Sequence, residues 1–198
     1  EGEPLGDGPG EEETDKWDKE IEYEEVERAL RRMSVGKSPG LDGITTEMLR
    51  AIWKYASGYV KELLVACLRE GKIPAEWKKA NVVILLKSPD RVKSDAGSYR
   101  PISLVSAWSK LIESVLVRRL KERMKEYESE SQYGFKEGKS TEDALRKVKS
   151  TVEDAEEKYV LGIFVDFKGA FDNLEWPGLL NRLREIGCEE IDVWKDYF

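Results

Sequence analysis

"GIFVDFKGAFDNL", residues 162–174, is an apolar run of strand character that ends on a carboxylate, Asp166, with a second one, Asp172, shortly after it. An unpaired carboxylate is costly to bury, so a strand that closes on one places it in a cleft or against a cation. The run starts earlier, at "YVLGIFVDF" (159–167), and the whole of it is expected to be a strand. Downstream, Pro177 to about Ile186 reads as a helix stopped by Gly187, and "EEIDVWKDYF" as a further helix beginning. Upstream, Thr141 to about Glu157 reads as a helix and "SQYGFKEGKS" (131–140) as a loop.

The first half alternates in the same way. Val26, Ala29, Leu30 and Met33 recur at helical spacing, and "GKSPGLDG" (36–43), with three glycines and a proline, breaks that helix. A second helix carries Met48, Leu49, Ile52, Trp53, Ala56, Val60, Leu63, Leu64 and Cys67 on one face and ends near Gly71, a residue suited to a C-terminal cap. "NVVILLK" (81–87) has the length and branching of a strand, "SPDRVKSDAGSYRP" is a polar loop, and Leu104 to about Met124 is helical. Long helices with a few strands set among them make an α/β or α+β body, and α+β is the class expected here.

Composition narrows the chemistry. Forty per cent hydrophobic residues in 198 supply a core. No apolar run approaches the roughly 20 residues needed to span a bilayer, so no membrane partner is expected. Histidine is absent and the cysteines are Cys67 and Cys188, which excludes imidazole bases and the usual zinc ligand sets, and points to a reducing compartment. The net charge of −7 is unevenly placed: residues 1–27 carry 13 acidic side chains against two lysines, net −11, which leaves +4 on residues 28–198. Residues 1–16, rich in Gly, Pro and acid, read as a disordered acidic arm, and residues 17–198 as the folded domain. A mildly basic body permits a polyanionic partner without demanding one.

Two "GKS" triplets fail as phosphate loops, because the glycine required five positions before the second glycine is Arg31 in one case and Tyr133 in the other. Taken singly, the remaining motifs fit plain roles. "GKSPGLDG" fits an inter-helix loop, "YRPISL" a chain entering a helix through proline, Lys87 and Arg100 solvated cations, "GFKEGKS" a turn, and Asp166 a paired structural acid.

Their joint order says more. "VERALRRMSVGKSPGLDGITTEMLR", "NVVILLKSPDRVKSDAGSYRPISLVSAWSKLIESVLVRRL", "QYGFKEGKSTEDAL" and "GIFVDFKGAFDNLEWPGLLNRLREIG" together resemble, motif after motif, the reverse transcriptase domain of non-LTR retrotransposons over roughly residues 17–198. The resemblance implies the fingers and first part of the palm of a right-hand polymerase. It implies that Asp166 is the first catalytic aspartate and binds two Mg2+ ions, with the carbonyl of Phe167 as a further ligand. Backbone N–H groups of Lys168, Gly169 and Ala170 would face the incoming triphosphate, and Phe171 would exclude a ribose 2′-hydroxyl. Lys87 and Arg100 would grip the triphosphate, and Phe135 would touch the template. Asp172 has a plainer role, accepting backbone N–H bonds at the turn before the next helix. The implied partners are an RNA template, a DNA primer and deoxynucleoside triphosphates, in the cytoplasm or nucleus.

The family's second catalytic element, a hairpin with two adjacent aspartates, lies downstream of the first, and no Asp-Asp pair occurs in this sequence. The expectation is a polymerase fragment inactive by itself. The alternative is a non-catalytic RNA-binding or protein-interaction module derived from the same fold.

Overall fold

The structure, a computed structural model, describes residues 20–167, 169–171 and 173–198. The expected arm, residues 1–16, lies outside the described residues, as do Lys168 and Asp172. The chain divides into two compact units, one of residues up to Arg118 together with Glu190–Phe198, the other of Arg119–Glu189.

In the first unit, α1 (Tyr23–Arg32) opens with a capping box in which the Glu22 N–H donates to Glu25 Oε2 at 3.0 Å, and it buries Val26, Ala29 and Leu30. Its last turn is closed from outside. The Arg50 guanidinium donates to the carbonyls of Leu30 (2.8 Å), Arg31 (3.3 Å) and Met33 (2.9 Å), satisfying acceptors that a helix end leaves open. Helix α2 (Thr46–Glu70) is capped by Thr45, whose hydroxyl accepts from the Met48 N–H, and ends at Gly71 in the left-handed conformation (φ 63°). Glycine is needed there twice over, because a Cβ would also meet Asp192 Cβ at 2.8 Å. A kink at Ala56 interrupts α2 just before Ser57 and Gly58, residues that weaken a helix locally. Burial pushes the Cys67 thiol up to about 11, which makes it an inert core residue.

Strands β1 (Ala80–Leu86) and β2 (Tyr99–Val105) form an antiparallel pair in which Leu85 faces Arg100 and Ile84 faces Pro101. β2 corrects the sequence reading, which ran a loop through Pro101 into a helix from Leu104. Proline is compatible with this strand because the Lys87 N–H bonds to the Ser98 carbonyl (2.9 Å), so by alternation Ile84 and Pro101 form a non-hydrogen-bonded pair and the missing N–H costs no ladder bond. Helix α3 (Ala107–Met124) follows, its first turn capped by Ser106, whose hydroxyl accepts from the Ser109 N–H at 3.0 Å. The "GKSPGLDG" loop rests on this junction. A Cβ on Gly40 would lie 2.7 Å from the Ser106 nitrogen and 2.9 Å from the Val105 carbonyl carbon, so only glycine permits the approach.

The short α6 (Ile191–Tyr197) also belongs to this unit. Asp196 accepts from the Ile73 N–H (2.8 Å) and from Lys78 Nζ (3.0 Å), contacts that hold its carboxyl below the ordinary range. Trp77 and Trp108 stack at 5.3 Å.

The second unit contains the end of α3, α4 (Thr141–Glu153) and α5 (Trp176–Glu185). Ser140 and Asp143 form a capping box at the start of α4. The helix stops at Glu153, short of the expected Glu157, because Glu153, Asp154, Glu156 and Glu157 place negative charge where the helix dipole is already negative. Arg123 donates to the Gly187 carbonyl (2.9 Å) and pairs with Glu189 (2.8 Å), tying the end of α3 to the residues after α5.

The expected strand at 159–167 does not form: these residues have no ladder partner among the described residues and are exposed. β-branched and aromatic side chains make a segment ready to pair, but a strand exists only against a neighbour.

Candidate active site

The two cations singled out in the first unit share one face of the hairpin. Leu85 and Arg100 are cross-strand partners, Lys87 and Ser98 continue the pairing, and side chains two apart on a strand point the same way. Both cations are exposed. Lys87 Nζ donates to the Gly97 carbonyl at 2.9 Å, which bends it back over the connection between the strands. That connection is built from its own turns: Asp95 Oδ1 accepts from the Gly97 N–H (2.9 Å), and the Tyr99 hydroxyl donates to the Lys93 carbonyl (2.9 Å).

The remaining candidates lie in the second unit. Asp166 and Phe167 sit in the extended exposed segment, and no hydrogen bond or ion pair engages the Asp166 carboxylate among the described residues. The burial cost expected for this carboxylate therefore does not arise, because the segment is open to solvent. After it the chain turns sharply. Gly169 adopts φ 63°, and its carbonyl accepts both the Asn173 N–H (3.0 Å) and Asn173 Nδ2 (2.9 Å). This turn carries Ala170 and Phe171, both exposed.

Phe135 stands in the same unit on the loop before α4. Its φ of 59° makes it the one positive-φ residue other than glycine among the described residues, a conformation that costs an L-residue about 1–2 kcal/mol. It is 94% exposed and meets Phe171 edge to face, ring centroids 6.5 Å apart. The structure thus brings Phe135 together with Phe171, and Lys87 together with Arg100, each pair within one unit. Sequence reasoning grouped Lys87 with Arg100 only through the resemblance and without the shared hairpin face, and it missed the meeting of Phe135 with Phe171 and the seat of Gly40 on Val105 and Ser106. The three glycines of "GKSPGLDG" announced a break, and nothing local told which of them approaches another backbone.

No group of three metal-ligating side chains gathers among the described residues. Asp166 and the carbonyl of Phe167 are nonetheless hard oxygen donors, the type that magnesium takes.

The family profile described as "Reverse transcriptase (RNA-dependent DNA polymerase)" matches residues 87–198, so it begins at Lys87 and includes Arg100, Phe135 and Asp166–Phe171. Over 180 residues the chain is 47% identical to the "Retrovirus-related Pol polyprotein from type-1 retrotransposable element R1" of Bradysia coprophila, covering 90% of this chain and 18% of that protein. It is 43% identical to the "Putative 115 kDa protein in type-1 retrotransposable element R1DM" of Drosophila melanogaster, over 90% of this chain and 17% of the relative. It is 31% identical to the "Probable RNA-directed DNA polymerase from transposon BS" of the same fly, over 85% of this chain and 19% of the relative. The chain thus spans under a fifth of the length of these relatives. With a family profile across more than half its residues and these relatives across most of the rest, the chain belongs to the reverse transcriptases of non-LTR retrotransposons.

Proposed function

We propose that residues 17–198 supply the fingers and the first part of the palm of a right-hand RNA-directed DNA polymerase that extends a DNA primer on an RNA template. The observation that carries this reading furthest is the same-face placement of Lys87 and Arg100 on the hairpin, within the region matched by the family profile. Two cations on one face suit a triphosphate, with which each makes charge-assisted hydrogen bonds. The resemblance further implies that backbone N–H groups of Lys168, Gly169 and Ala170 would face the incoming triphosphate, and Gly169 turns the chain at φ 63°.

Asp166 and the Phe167 carbonyl would hold magnesium, with the nucleotide phosphates and acidic residues elsewhere in the complete polymerase as the other ligands. The metal, when bound, neutralises the charge that develops on the reacting oxygens. Asp166 would serve as a ligand for the metal, Lys87 and Arg100 would bind the triphosphate through charge-assisted hydrogen bonds, and Phe171 would exclude a 2′-hydroxyl. No helix among the described residues is long and apolar enough to cross a membrane.

Primer extension on an RNA template tests the reading. In the complete polymerase, Asp166→Asn is expected to lower deoxynucleotide incorporation by about 1000-fold or more, roughly 4 kcal/mol of transition-state stabilisation. The melting temperature should stay unchanged, because the carboxylate is exposed and unengaged among the described residues. The 198-residue chain by itself should incorporate nothing, having no paired aspartates to complete the metal site. Normal incorporation by the Asp166→Asn polymerase overturns the assignment.

A further inference from the structure

We propose that Phe135 is a positioning residue for Phe171, so that discrimination against ribonucleotides belongs to the aromatic pair rather than to Phe171 alone. The proposal rests on the polymerase reading, in which Phe171 is the residue that excludes the 2′-hydroxyl.

Three observations converge on it. Phe171 stands on an exposed turn, and Phe135 is its one aromatic neighbour among the described residues, at 6.5 Å and an interplanar angle of 87°. A side chain that excludes a substituent by bulk must be held still, because a ring free to swing away from the sugar excludes nothing.

Secondly, Phe135 occupies a left-handed backbone conformation that glycine would adopt without strain. A bulky residue kept at such a φ indicates that its ring is wanted at that point. Its exposure of 94% rules out core packing as the reason.

Thirdly, the loop that carries Phe135 is braced on both sides of it. The Gln132 N–H donates to the Ser129 carbonyl (3.1 Å), Gln132 Nε2 to the Gly134 carbonyl (2.9 Å), and the Lys139 N–H to the Lys136 carbonyl (3.3 Å). An ion pair joins Lys136 to Glu128 at 2.9 Å. The ring of Phe135 is thus presented from a hydrogen-bonded loop, its plane nearly perpendicular to that of Phe171.

The role first expected for Phe135, contact with the template, makes a different prediction. Loss of a template contact raises the Michaelis constant for template–primer and leaves the choice of sugar alone. Loss of a stop behind Phe171 relaxes the choice of sugar and leaves template–primer binding alone.

The test measures kcat/KM for a ribonucleotide and for the matching deoxynucleotide, together with KM for template–primer, in the complete polymerase carrying Phe135→Leu, Phe171→Val or both. Phe135→Leu should raise the ribonucleotide-to-deoxynucleotide ratio about five-fold or more with the template–primer KM unchanged. The double variant should go no further than Phe171→Val, since a stop has no role once the gate is gone. Phe135→Gly relieves the backbone and should relax selectivity equally while keeping the melting temperature, which separates the effect from misfolding. An unchanged ratio in both Phe135 variants, or effects that multiply in the double variant, overturns the positioning role while leaving the gate in place. If Phe171→Val itself leaves the ratio unchanged, the gate reading fails and the positioning role falls with it.

Discussion

The two units of the chain dispose of their apolar side chains differently. The unit made of residues 20–118 and 190–198 buries Ile21, Leu49, Leu64, Leu111, Ile112 and Val193 almost completely. Among the described residues of 119–189, the buried hydrophobic side chains are Leu183, Ile186 and Cys188, while Leu161, Ile163, Phe164 and Val165 stand 75–90% exposed. Burial follows the presence of a partner face rather than hydrophobicity: Leu145, Val148 and Val152 of α4 recur at helical spacing and still stand 51–68% exposed. In α1 and α2 the apolar residues recur every three or four positions, so one helix face can close against another. The run at 159–167 is apolar on consecutive positions, so it needs cover on both sides and a hydrogen-bonded neighbour along each edge.

The contrast predicts how each unit responds to truncation of a side chain. Leu64→Ala and Leu111→Ala, at sites that are 0% exposed, should each cost about 2–5 kcal/mol in a denaturant titration. Phe164→Ala, at 90% exposed, should change stability by less than about 0.5 kcal/mol. A large loss for Phe164→Ala would show the segment packed in solution and would erase the contrast.

Function should divide differently from stability. In the complete polymerase, Lys87→Ala and Arg100→Ala should each raise the deoxynucleotide KM or lower turnover by about ten-fold, near 1.4 kcal/mol, while melting temperature barely moves, since both side chains are exposed. Unchanged kinetics in both would reduce them to solvated cations.

Smaller effects sharpen the picture of local order in the less buried unit. Ser140→Ala removes the hydroxyl that accepts from the Asp143 N–H and should cost about 1 kcal/mol, read as a lower melting temperature. If the region around α4 is already frayed in solution, the substitution will do nothing.

The smallest effect concerns acid. Asp196 has its carboxyl held below the ordinary value of 3.8 by the Ile73 N–H and by Lys78, so its contribution is fully present above that value and is lost as pH falls through the lowered one. Asp196→Asn should therefore lower stability modestly at neutral pH and flatten its decline below about pH 4, the two proteins converging in acid. An identical acid limb in the two proteins would mean that α6 is not held through this contact.

Much of the first unit could be read from residue order. Val26, Ala29 and Leu30 gave α1, the stripe from Leu49 to Cys67 with Gly71 gave α2, and "NVVILLK" gave β1 to within one residue. β2 was illegible because Arg100 and Pro101 look like loop residues until a partner strand shows that Pro101 sits where no N–H is needed. The placement of Lys87 beside Arg100 was hidden for the same reason, being a matter of register. The strand expected at 159–167 failed from the opposite cause, since its composition was right and its neighbour is absent from the described ladder. Phe135 and Phe171 meet across a long stretch of intervening chain, and no local pattern encodes such a meeting.

The guanidinium of Arg50 has a consequence for the order in which the molecule assembles. Helix α1 has ten residues, below the roughly 12–15 at which an isolated helix becomes even marginal in water. Its final carbonyls are met by a side chain twenty residues further along, on a helix of 25 residues. A peptide spanning residues 20–36 should therefore be unstructured by circular dichroism, and α1 should condense only once α2 has wound far enough to present Arg50. Helix α1, although synthesised before α2, would fold after it.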